Sequence, residues 1–361
     1  MTNEIFRSLL WFCTPGALAI VGAASAQPNP PVLACNDGHV ACVNEDINVP
    51  YDLGDIPARF RAVEFADIPA THRTVTVNSN TDLSRELEVN GSRLVVGAGT
   101  YNGTAIRGTD IDLVLSNSAT FTGGLQILGT RVRVTGGTVA SIHGLDTANH
   151  FTLDNVRVRE GLYFHPWNGN TPHHISILRS TIESPGNEYP ILIGEGGINH
   201  FILAGSDISN GADAYAAIRI MSSEYVILAD NRVFSSGNRI LRTHDTSNLH
   251  LWIRNQFETD DIHNLWLGPF VGGATGGRMN SIEILDNTYY GPVAGISGFP
   301  LQIDGDQGAG IADVTIRNNR FFTPGDGTRV TSGYAEPPFV VENNTFAPYQ
   351  TPPPSSAGAD H

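Results

Sequence analysis

Residues 239–255, RILRTHDTSNLHLWIRN, concentrate three arginines, two histidines and one aspartate in seventeen positions. A guanidinium fork binds a carboxylate through two parallel N–H bonds, and an imidazole exchanges a proton near neutral pH. Arg242 and His244, two positions apart, face the same way on an extended strand. The pair therefore suits neutralising an acidic group and removing a proton beside it. A second dense patch, YFHPWNGNTPHH at 163–174, offers Tyr163, His165, Trp167, His173 and His174. It reads as a loop wall. Adjacent histidines on a strand point to opposite sides, which speaks against a metal shared by His173 and His174. The acidic runs are ETDDIH, with Glu258, Asp260, Asp261 and His263, and IDGDQG, with Asp304 and Asp306. They offer oxygen ligands of the kind calcium takes, but too few for a calcium cage. The first could form a calcium or acid/base site at the groove edge, but a solvated loop is the favoured reading.

What must position these residues is a degenerate repeat. Short Val/Ile/Leu-rich runs such as VILADNRV, LWIRNQF, IEILDNTY and VTIRNNRF end in Asn or a small residue followed by an apolar one. The marker falls at Asn117, Gly137, Asn155, Ser180, Ser206, Asn231, Asn255, Asn287, Asn319 and Asn344, in steps of 18 to 32 residues. A step that varies while the marker persists makes each repeat one structural turn with loops of free length. The runs are too short and too β-branched for helical repeats. The pattern predicts an all-β, single-chain, right-handed parallel β-helix of about ten coils over 75–348, with an Asn-rich ladder at one turn. FTLDN and LHLWIRN alternate one residue out of step, and there Leu249, Leu251 and Ile253 are expected inward.

A second set of runs precedes each marker run, and in nearly all of them one residue sits between two apolar ones. Taken coil by coil, these outward positions are Gln126, His143, Tyr163, Leu192, Arg219, Arg242, Trp266 and Gln302. Two residues further along come His165, Gly194, Met221, His244, Gly268 and Asp304. Coils stack about 4.8 Å apart, so each series becomes a row of neighbours. The expected catalytic residues are Arg242, His244, Arg219, Tyr163 and His165. The expected substrate-binding residues are Trp266, His143, Gln126, Gln302, Asp304 and Trp167. No metal site is assigned. A plainer alternative pairs Arg219 and Arg242 with Glu195, Glu224 or Asp245 and buries Trp266 under a loop.

The coil length and the Asn ladder resemble the pectin-lyase-like superfamily across roughly residues 75–348. The resemblance implies an extended polysaccharide held on the face of the family's first sheet, where the outward row lies. Arginines beside a histidine or tyrosine there suit β-elimination in a uronate polysaccharide, which requires the carboxylate neutralised and a base near the C–H. Non-catalytic binding or adhesion is the alternative, and a hydrolase or epimerase a further one. Against hydrolysis, Asp245 and Asp304 lie too many coils apart to flank one bond, and the Arg-Ile-Lys motif of the polygalacturonase branch has no counterpart in a chain without lysine. No cofactor is implied beyond the calcium that the acidic loops leave open.

The ends and the charge complete the expectations. Residues 1–26 read as a secretory signal cut after Ala26, placing the protein outside the cell or in the periplasm. Residues 27–50 form an extended leader in which Cys35 and Cys42 close a disulfide loop, with a metal site using His39 as the alternative. Residues 51–74 are expected to cap the first coil with a short amphipathic helix, and 349–361 form a disordered tail. A net charge of −15 argues against nucleic acid and anionic membranes as partners. The partner expected is an anionic polysaccharide, bound by a monomer.

Overall fold

The computed structural model describes residues 51–353, except 145–146, 165–170, 187–188, 195, 212–214, 238, 261–264, 269–277, 292–300, 304–309, 325–327 and 331–334. The signal, the leader with Cys35 and Cys42, and most of the tail fall outside these residues. The β-branched runs form three parallel sheets, visited in turn by each coil. Among the described residues, sheet A has 12 strands from Arg73–Val77 to Ala335–Glu342, sheet B has 11 from Gly99–Tyr101 to Thr345–Ala347, and sheet C has 10 from Thr104–Ile106 to Thr328–Val330. Each strand pairs with its counterpart in the next coil, giving the right-handed parallel β-helix that the repeat predicts. Inward residues such as Ile177, Leu203, Leu228 and Ile284 fill the interior at 1% exposure or less.

The turn from sheet A to sheet B explains the marker. A residue in the left-handed region comes first: Arg179 at φ 48°, Gly205 at 59°, Asp230 at 57°, Arg254 at 54°, Asp286 at 55° and Asn318 at 60°. The ladder residue follows it. Asn255 N–H and Nδ2 both donate to Asn287 Oδ1, at 2.8 and 2.9 Å. Asn287 Nδ2 in turn donates to Trp252 O at 2.8 Å and to Asn319 Oδ1 at 3.0 Å. The chain of bonds runs from Asn231 to Asn344, and Ser206 and Ser180 continue it downward through their hydroxyls. Two expected members do not belong. Asn155 is the left-handed residue itself, at φ 54°, and Val156 holds the ladder position beside Ser180 Oγ. Asn117 is exposed in a wider turn.

The N-terminal segment differs from the expected cap. Residues 58–62 form one 3-10 turn, and the chain then runs extended as a strap down the outside of sheet A. Arg59 pairs with Glu283 and Asp313, Ala66 N–H donates to Ser176 Oγ, Asp67 N–H to His150 Nδ1 and Ala70 N–H to Asp110 Oδ1. Phe60 and Val63 bury a second apolar layer on Leu178, Ile202, Ile227, Leu251, Ile253 and Leu285. The first coil is closed instead by an α-helix, Asn80–Glu86, capped by Ser79, whose Leu83, with the following Leu87, enters the core.

The strap also corrects the register around residue 250. His250 and Trp252 point inward at 0% exposure, while Leu249, Leu251 and Ile253 lie outside, under the strap. Both faces of this strand are apolar-lined, so alternation carries no sign of which side is the core.

Two outcomes follow from this packing. Asn287→Ala removes the acceptor of two Asn255 donors and uncovers Trp252 O, so urea denaturation should show a loss of about 2–4 kcal/mol. Burial pushes His250 from the usual 6.5 down to about 4. Its neutral form therefore stabilises the fold above pH 6.5, and that contribution, about 3 kcal/mol, is lost as pH falls through about 4. His250→Val, matching Val226 one coil away, should flatten the pH dependence of Tm over that window.

Candidate functional site

In sheet C the described short strands place one residue between two buried ones, as at His143 and Leu192. Gln126, His143, Tyr163, Leu192, Arg219, Arg242, Trp266 and Gln302 are paired strand to strand in that order. Their inward neighbours are buried, as at Leu125 and Ile127, or Ile218 and Ile220. The row divides in two. In its lower part the His143 and Tyr163 rings stack at 5.1 Å. His143 Nε2 lies 3.1 Å from Ser141 Oγ, and the Tyr163 hydroxyl donates to the Glu160 carbonyl at 2.6 Å. In its upper part Arg219 and Arg242 are direct cross-strand partners, followed by Trp266.

Leu192 separates the two groups. Tyr163 and Arg242 are three coils apart, roughly 14 Å, so an extended ligand meets them with different units. Tyr163 thus stands with His143 as a contact surface and is too far from Arg242 to serve as the base beside it. His244 ends the Arg242 strand and is paired with Met221 and Gly268. The side chains of His244 and Trp266 lie outside the described residues, as do His165, Trp167 and Asp304 altogether.

Two residues that the sequence did not single out hold the arginines. Arg219 Nη1 donates to Tyr189 Oη at 3.1 Å, with its guanidinium 5.4 Å from that ring. The Arg242 guanidinium lies 4.8 Å over the Tyr215 ring, and the two rings meet edge to face at 6.4 Å. A signal was present: Tyr189 and Tyr215 stand two and three positions before the strands that begin at Ile191 and Ile218. Ring faces attract cations and spread their charge. Burial lowers the Arg242 pKa, Tyr215 opposes that, and the Arg219 and Arg239 cations add to it. The Arg219 and Arg239 guanidinium groups thus both lie near enough to Arg242 to act on it.

Other expected residues go elsewhere. His173 and His174 open the sheet A strand His173–Leu178 and do not overhang the sheet C face. They also converge, because His174 adopts φ 57° and the usual alternation fails there. Glu258 lies in the sheet B strand Gln256–Thr259, 5% exposed and bonded to Arg232 at 2.6 Å, so it is no loop ligand. Asp261 and His263 lie outside the described residues. Of the opening cluster, Arg254 is bound to Asp230 and to the Leu53 carbonyl.

No known family profile matches the sequence, and no curated protein is similar to it. Among solved structures, the chain is similar to PfbA, a surface adhesin of Streptococcus pneumoniae. The two are 12% identical over 70% of this chain and 75% of that one, with a TM-score of 0.49. It is also similar to a pectate lyase variant of Bacillus subtilis, 11% identical over 77% of this chain and 82% of that one, with a TM-score of 0.26. The three parallel sheets, paired coil by coil, make the architecture a right-handed parallel β-helix.

Proposed function

We propose that the sheet C face binds an extended, uronate-bearing polysaccharide outside the cell and that the protein cleaves it by β-elimination. The observation that carries this reading is the cross-strand pair Arg219 and Arg242, each guanidinium set against a tyrosine ring. Two cations at neighbouring positions bind a uronate carboxylate and neutralise it, which acidifies the C–H next to the carboxylate. A base then takes that proton, the C–H electron pair becomes the new C=C bond, and the C–O bond of the glycosidic linkage breaks with its oxygen taking up a proton. His244, two residues beyond Arg242 on the same strand, is the base assigned here. His143, Tyr163, Gln126 and Gln302 extend the contact surface along the row. Calcium has a role only if Asp304 and Asp306 supply it.

A second reading is adhesion without chemistry. It is favoured by the Tyr163 hydroxyl, which is turned to a backbone carbonyl, and by the fixing of Arg219 on Tyr189, both of which suit a rigid platform. Incubation of the purified protein with a panel of uronate polysaccharides separates the two. The lyase reading expects ultraviolet absorbance from the new C=C bond, lowered roughly 10²–10³-fold by Arg242→Ala. No absorbance on any polymer, with gel retardation that weakens in Arg242→Ala, would replace it by the adhesive reading.

A further inference from the structure

Sheet A begins with a column of left-handed residues: His150 at φ 53°, His174 at 57°, His200 at 60° and Tyr225 at 57°. In-register pairing lays their rings on one another. His150 and His174 stack at 4.5 Å and 10°, His174 and His200 at 4.4 Å and 8°, and His200 and Tyr225 at 4.7 Å and 7°. Repetition of the turn accounts for this stack. It does not account for His173, whose ring stands at 86° to His174 and 90° to His150, at 5.0 and 5.1 Å. His173 Nδ1 is 2.8 Å from His174 Nδ1. One nitrogen from each of His150, His173 and His174 lies within 4.8 Å of the others.

The strap assigns the protons. Glu64 Oε2 is 3.1 Å from His174 Nε2, so that nitrogen carries the hydrogen and Nδ1 turns its lone pair toward His173. A histidine that gives its outer N–H to a carboxylate while its inner nitrogen faces a cluster is the usual arrangement around a bound metal. Burial, then the neighbouring imidazoles, lowers the pKa of His173. Burial also lowers that of His150, against the Asp67 carboxylate. Neutral imidazoles are the form that zinc-class ions bind.

We propose that His150, His173 and His174 form a binding site for a divalent transition-metal ion, zinc by preference, with Glu64 orienting His174 from the strap. Imidazole donors suit zinc and copper over calcium or magnesium. Zinc–nitrogen bonds of about 2.0–2.1 Å in tetrahedral geometry set donors about 3.3 Å apart. The two Nδ1 atoms must therefore open by about half an ångström, and His150 must turn out of its stack to close the third edge. The ion takes the place of the proton shared by the two Nδ1 atoms, and that proton moves to His173 Nε2, so both rings stay neutral. The fourth position falls to water, and the Asp67 N–H that donates to His150 Nδ1 gives up that bond as the ring turns. Because Glu64 belongs to the strap, the ion would tie that segment to sheet A.

Zinc titration of the full chain in metal-free buffer, read by calorimetry and by the shift in Tm, tests the proposal. One saturable site and a higher Tm with zinc are expected, and cobalt in its place should give the intense visible absorption of a tetrahedral nitrogen site. His173→Ala should abolish the site, as should His174→Asn, in which Asn keeps the left-handed backbone. Tyr225→Asn, in the same column but stacked on His200 rather than on the trio, should leave it intact, and Glu64→Gln should weaken it roughly tenfold. Absence of a saturable site overturns the proposal, and so does binding undiminished in His173→Ala, which would put the ion elsewhere on the chain. Should His174→Asn not fold, His173→Ala alone decides.

Discussion

Parallel strands bond about 4.8 Å apart, so the nearest neighbour of any side chain on a sheet face is its equivalent one coil away. Everything else in the molecule depends on that in-register pairing. It holds from Arg73 paired with Ser92 to Phe322 paired with Ala347, with one shift in sheet A between Ala312 and Val314. The varied repeat length is absorbed by the loops between strands. A residue type that recurs at one coil position therefore becomes a column whatever the spacing in the chain.

Columns have physical consequences that depend on what is stacked. Asparagines stack favourably because each amide is both donor and acceptor, and each side chain from Asn231 to Asn319 finds partners in the coils on either side. Opposite charges do so through pairs such as Arg131 with Asp110 and Arg254 with Asp230, at 2.6 and 2.7 Å. Like charges are costly. Arg219 and Arg242 are set against tyrosine rings, and burial together with neighbouring imidazoles lowers the pKa of His173 and of His200. Such positions set like charges side by side along a column, where stacking alone does not satisfy them as it does the amides.

The sheet C row was legible in the sequence because its strands have one wet face and one dry face, so a single residue between two apolar ones marks the outside. The sheet A strand at 248–253 lacked that asymmetry. With apolar residues on both sides, Trp252 and Leu251 look equally suited to the core, and only the strap distinguishes them. Asn155 misled for a related reason, since Asn is favoured both by the left-handed position and by the ladder position that follows it. Tyr189, Tyr215 and the convergence of His173 with His174 depend on where turns direct side chains, and alternation says nothing of a residue with positive φ. His165, Trp167 and Asp304 lie outside the described residues.

The strap sets an order of events on the chain. Neighbouring coils pair across 18 to 36 residues, so the helix can grow one coil at a time as a nearest-neighbour assembly. Arg59, by contrast, reaches Asp313 across 254 positions, while Ala70 bonds to Asp110 across 40. Between those anchors the strap crosses eight coil steps of about 4.8 Å, extended below the 3-10 turn and reaching its upper end through the long Arg59 side chain. The segment that leaves the ribosome early therefore finds its complete seat only after nearly the whole chain has followed. Until then the apolar layer of Leu178, Ile202, Ile227 and Leu251 stays open to other partners, which makes strap docking the closing step of folding and the point at which this protein is most exposed to misassembly.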